Sequence, residues 1–157
     1  MKEFEKGSNQ GFTLIEMLVV IIIISFLIGI VLTGTLGFQA SARDTRRTGD
    51  LRNAQNFLEL YFTKCGRYPG DGSCGASAPG WSALSGIMGT AGVTNQFPSG
   101  ILGRDYFYGV NGDGLSYTLG VELERDNNVL KSDIDDPNSN GVNCADTPNF
   151  VYCISSS

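Results

Sequence analysis

FTLIEMLVVIIIISFLIGIVLTGTLGF, residues 12–38, decides how this chain is built. These 27 residues carry one charge, Glu16, and otherwise only scattered Ser, Thr and Gly among large apolar side chains. As a helix the stretch is long enough to cross a bilayer, since about 20 apolar residues cover roughly 30 Å of hydrocarbon. No comparable run recurs after Gln39, so the reading is a single-pass anchor with the rest of the chain on one side. The 157 residues have a mean hydropathy of −0.02, an average over two very unlike parts. Eleven basic against sixteen acidic residues give a net charge of −5 and a pI near 4.6, so nucleic acid is not an expected partner of the isolated chain. There is no His, which removes Ser-His-Asp triads, Cys-His dyads and His-ligated metals together.

Three origins of such a run compete: a plain signal anchor, a cleaved secretory signal, and a processed leader ahead of a retained helix. Ala40-Ser41-Ala42 has the composition of a signal-peptidase site. Against that, the run is about twice the usual 7–15 residues, and Lys2, Glu3, Glu5 and Lys6 before it sum to zero charge. The start of the run is more specific. Gly11-Phe12-Thr13-Leu14-Ile15-Glu16 sets a Gly–Phe junction at the head of the helix and a carboxylate five residues into it. A carboxylate in a membrane segment is costly without a partner and marks function by default. A plain anchor leaves Glu16 at the headgroups and the Gly–Phe junction without a purpose.

At these residues the sequence resembles the type IV pilin and type II secretion pseudopilin superfamily, whose prepilin signature is GFTLIE. The resemblance implies a leader at 1–11, a transmembrane and assembly helix at 12–38, and a soluble head at 39–157 that includes the amphipathic half of the helix. It implies cleavage between Gly11 and Phe12 by a prepilin peptidase, N-methylation of the Phe12 amine, and pairing of Glu16 with the amine of a neighbouring subunit. The implied partners are copies of the same chain in a helical filament and a pilus or secretion assembly platform with its ATPase. The implied locations are the bacterial inner membrane before assembly, and an extracellular or periplasmic filament after it. Within the class a minor or initiating pilin is the alternative. Outside it stands a membrane-anchored binding module, an adhesin or DNA-uptake receptor. The neutral leader departs from the family's usual basic one, and Gly29, Gly34 and Gly37 lie where many pilins carry a kinking Pro.

Beyond residue 38 the apolar pattern becomes one-faced. Leu51, Ala54, Leu58, Tyr61 and Phe62 recur at helical spacing, and Gly66 with Pro69 ends the helix near Cys65. Asp44 with Arg47, and Arg46 with Asp50, have the spacing of ion pairs on a solvated helical stretch. LYFTKCGRYPG at 60–70 also resembles the family. Residues 70–103 read as a Gly-, Ser- and Ala-rich loop with one short helix at 81–88. Leu115, Tyr117, Leu119, Val121 and Leu123 alternate with Ser116, Thr118, Gly120, Glu122 and Glu124, a strand pattern. Arg104 to Val110 precedes it across an Asn111-Gly112-Asp113-Gly114 turn, and a last strand is expected at 150–154. The fold class is therefore α+β: a long helix packed against a small antiparallel sheet, which is also the pilin fold that the resemblance implies.

Cys65, Cys74, Cys144 and Cys153 all follow the apolar run, and on an oxidising side they form disulfides. Cys65–Cys74 and Cys144–Cys153 each close a short turn-rich loop; Cys65–Cys153 with Cys74–Cys144 is the alternative. A tetrathiolate zinc site is disfavoured, because eight residues separate each pair where two to four are usual. Asp133, Asp135, Asp136, Asn138 and Asn140 concentrate oxygen ligands ahead of the last strand. They are candidate Ca²⁺ ligands, since hard cations take oxygen donors and the resemblance implies calcium in a C-terminal loop. The same residues also make an ordinary solvated turn. Residues 43–52 hold four Arg and two Asp, whereas three basic and nine acidic residues follow Gly100, so the basic neck of one copy can stack on the acidic head of another; two separately solvated surfaces are the alternative. No catalytic constellation is present, and the chain is expected to be a structural subunit rather than an enzyme.

Overall fold

The computed structural model describes residues 11–70, 72, 74, 80–100 and 103–156. Residues 1–10 of the expected leader lie outside these. The chain divides into two compact units, residues 1–38 and 39–157. The first helix, α1, is Leu14–Cys65. In the first unit its window Leu14–Val31 is long and apolar enough to cross a membrane, and none of that window is buried. Ile15, Ile21 and Phe26 are at least 64% exposed, which in water is unfavourable for every turn and in hydrocarbon is not.

In the second unit α1 contributes Leu51, Ala54, Leu58 and Tyr61, all fully buried. They meet Tyr117, Leu119, Val121 and Leu123 of the central strand in one core. The strands are β1 (Tyr106–Val110), β2 (Tyr117–Leu123) and β3 (Phe150–Ser155), antiparallel in the order β1-β2-β3. Tyr106 faces Val121 in one register and Tyr152 faces Val121 in the other. A second helix, α2 (Trp81–Thr90), adds Trp81, Leu84 and Met88 to the core and runs two residues past the expected 81–88. Lys64 Nζ donates to the Ala91 carbonyl at its C-terminal end, and Gly92 turns away at φ +65°.

Three expectations change. The hairpin loop is longer than four residues: Asn111 N–H donates to Ser116 O at 3.0 Å, and Asn111 Oδ1 accepts Leu115 and Ser116 N–H. The turn thus consumes Leu115, which is 56% exposed, and β2 begins at Tyr117. Arg104 lies outside β1 and instead bonds Glu122 at 2.7 Å. Finally, the second face of β2 is not solvated. Thr118 is fully buried, and Val142, Cys144, Val151 and Cys153 form a second small cluster on that side.

In the stretch expected to be solvated at 44–50, Thr45 and Arg46 are exposed but Asp44 and Arg47 are not. Asp44 and Arg47 are each 1% exposed and bonded at 2.8 Å. Arg47 Nη1 donates to Glu124 Oε1 at 2.7 Å, and Arg43 forms a fork on the same carboxylate at 2.8 and 2.6 Å. Asp44 Oδ1 also accepts the Glu124 N–H at 3.0 Å. Two of the four Arg of the basic neck are therefore committed to their own subunit's β2 terminus rather than left for an acidic head of another copy. These two arginines hold Glu124 down at about 2, the Arg43 hydrogen bond first and Arg47 second.

Candidate functional site

At the N-terminal junction Gly11 and Phe12 lie outside any helix or strand, and Phe12 is 77% exposed. Thr13 precedes α1, and Glu16 is the acidic residue of its first turn. Their side chains form a reciprocal cap. Thr13 Oγ1 accepts the Glu16 N–H at 3.3 Å, and the Glu16 carboxylate accepts Thr13 N–H at 3.2 Å and Thr13 Oγ–H at 3.0 Å. Two donors that the helix start leaves orphaned are satisfied this way, and the carboxylate sits at the positive end of the helix. Glu16 thus has a local role that the sequence reading did not assign, although T-x-x-E is the cap's own signature. Ala40-Ser41-Ala42 lies inside α1, where the backbone is helical.

The four cysteines form Cys65–Cys74 and Cys144–Cys153, with none left free. The first ties the end of α1 to the following loop, and the second ties the C-terminal loop to β3. A zinc site built on these thiolates does not arise.

The acidic loop is sorted by the fold. Asp133 and Asp135 come together with Asp146, their carboxylate oxygens all within 4.8 Å of one another. Asp133 Oδ2 accepts the Cys153 N–H at 2.8 Å, whereas Asp133 Oδ1 and Asp146 Oδ1 are buried with no hydrogen-bond partner among the described residues. Burial pushes the Asp133 carboxyl up to about 6, with Asp146 and Asp135 adding to it and the Cys153 N–H opposing. Asp146 is raised by the same desolvation and by Asp135 and Asp126. Orphaned carboxylate oxygens facing one another suit a hard divalent cation, which supplies the charge they lack. The other candidates go elsewhere. Asp136 accepts Asn138 N–H through its side chain at 2.9 Å and Cys144 N–H through its carbonyl at 3.1 Å. Asn140 Nδ2 donates to Thr118 Oγ1 at 3.1 Å. Asp146 escaped the sequence reading because it lies ten residues past the acidic run; its place two residues after Cys144, which returns to β3, was the available signal.

Residues 6–32 match the prokaryotic N-terminal methylation motif. The chain is also similar to the type II secretion system core protein G of Aeromonas hydrophila, 32% identical over 65 residues. That match covers 41% of this chain and spans 46% of the relative's length. No solved structure matches the chain. The motif, the similarity to protein G and the α+β architecture agree with the resemblance to type IV pilins and pseudopilins.

Proposed function

We propose that this chain is a structural, non-enzymatic subunit of a helical type IV pilus or pseudopilus. It is held in the membrane by residues 12–38 as a precursor, cleaved after Gly11 and N-methylated at Phe12. The observation that carries this reading is the exposed, non-helical Gly11–Phe12 junction directly ahead of an exposed apolar helix whose first turn holds Glu16. An exposed peptide outside regular structure is what a protease can take into its site, and a helix apolar on all sides is what a bundle of copies in a fibre core can bury. Glu16 caps its own helix in the isolated chain and pairs with the Phe12 ammonium of a neighbour in the filament. Copies related by a heterologous, non-closing contact then extend without limit. In the head, Asp133, Asp135 and Asp146 would hold a Ca²⁺ ion that neutralises the loop.

Mass spectrometry of the mature chain is expected to find methylated Phe12 at the N-terminus. Sheared surface filaments are expected to contain it as the principal protein. An N-terminus at Met1, or at Arg43 after the Ala40-Ser41-Ala42 stretch, overturns the reading. Glu16→Ala should leave cleavage at Gly11 and membrane insertion intact while filament yield falls, because only the assembled core then buries an ammonium without a partner. Equal yield would reduce Glu16 to a helix cap.

A further inference from the structure

Residues 133–144 lie across the face of β2 opposite the long helix, and little apolar surface holds them there. The cluster beneath them is Val142, Cys144, Val151 and Cys153, with Phe107 and Ile134 at its margin. Polar contacts do the remainder. Thr118 Oγ1 meets Ser139 Oγ at 2.8 Å and accepts from Asn140 Nδ2 at 3.1 Å, whereas the main-chain hydrogen bonds between Ser139 and Val142 stay inside the segment. The sheet is shaped to receive the segment: a Cβ at Gly120 would stand 3.1 Å from Cys153 Sγ and 3.2 Å from Val142 Cγ1. Both ends of the segment are tied to a single residue. Asp133 Oδ2 accepts the N–H of Cys153, and Cys144 is bonded to its sulfur. Opposing these ties, Asp133 and Asp135 of the segment and Asp146 of the disulfide-closed loop bring three carboxylates within 4.8 Å of one another.

We propose that Cys153 is a redox latch on a strap loaded by its own charge. Reducing Cys144–Cys153 releases residues 133–146 from the sheet, while the core between α1 and β2 stays folded. In that step a dithiol supplies two electrons, the S–S bond breaks, Cys144 and Cys153 become thiols, and the reductant becomes a disulfide. Cys144 and Cys153 are both 0% exposed, so a reductant reaches them only when the strap opens. Cys65 is half-buried and Cys74 is exposed, so that bond is reduced first.

Amide hydrogen exchange on the detergent-held full chain tests the latch, with a chelator present because a cation would neutralise the same carboxylates. In Cys144→Ser/Cys153→Ser, exchange at the amide of residue 153, which Asp133 holds from the strap, should rise about a hundredfold, the loop-closure factor for a ring of about ten residues. The Leu58 and Leu119 amides should keep their protection. Adding Asp146→Asn to that variant should slow strap exchange again, since it removes a repelling charge and breaks no hydrogen bond to Cys153. Unchanged strap exchange, or equal acceleration in the core, overturns the proposal. If the double Ser variant does not fold, the reduction rate of Cys144–Cys153 in otherwise native protein decides. Asp146→Asn should slow it, and an equal or faster rate overturns the proposal.

Discussion

Replacing Arg47 by Met keeps the length and most of the volume of the side chain and removes only its charge and donors. Arg47 and Asp44 are each 1% exposed, and the guanidinium bonds Asp44 at 2.8 Å and Glu124 at 2.7 Å. In the variant Glu124 keeps Arg43, whose side chain is 45% exposed, but Asp44 is left as a buried carboxylate with the Glu124 N–H as its remaining donor among the described residues. Stranding one member of a buried pair costs about 3–5 kcal/mol. For the 119 residues of the head, 39–157, unfolding entropy near 0.25 kcal/mol/K turns 4 kcal/mol into a Tm loss of about 15 °C. The assay is urea unfolding followed by the fluorescence of Trp81, the chain's single Trp and a core residue only 8% exposed. The midpoint should fall with the slope unchanged. Adding Asp44→Asn should restore at least half of the loss, since the stranded charge is then gone. A loss under about 1 kcal/mol for Arg47→Met, or no recovery in the double variant, would refute the argument that burial makes this pair matter.

Acid titration in chelator should give a stability profile with a maximum. Asp133, raised to about 6, binds its proton more tightly folded than unfolded, so stability rises as pH falls from 7 through 6. Glu124, lowered to about 2, contributes stability present above its usual 4.5 and lost as pH falls from there toward 2. A profile falling steadily from pH 7 refutes the first half of this. Calcium at a hundred times its dissociation constant should stabilise the head by about 2.7 kcal/mol, read as a Tm rise, and Asp146→Asn should blunt it. An Asp136→Asn variant should retain the effect. Gly120→Ala should destabilise by about 1–3 kcal/mol in thermal melts, because its methyl group meets Cys153, Val142 and Phe107 together. A neutral result would mean that the loop over β2 yields freely.

Linear pattern was enough for everything governed by one element at a time. The apolar run, the Gly–Phe junction, the helical face of Leu51, Ala54 and Leu58, and the alternation around Leu119 are periodic or contiguous, and solvent reads such patterns as directly as an observer does. The nearest-neighbour cysteine pairs belong here too, since short loops bring their own ends together. What required the tertiary structure was the meeting of groups far apart in the chain. Arg47 looks like a solvated helix residue until Glu124 arrives from the end of β2, and Thr118 looks solvent-facing until residues 139 and 140 fold over it. The carboxylate cluster is the sharpest case. A run of Asp and Asn marks a polar turn, but which oxygens converge is set by the path of the backbone, and that path turns Asp136 and Asn140 onto local partners while bringing Asp146 in from beyond the disulfide. Charge and hydrogen bonding act through space and distance, and sequence order constrains distance only over a few residues.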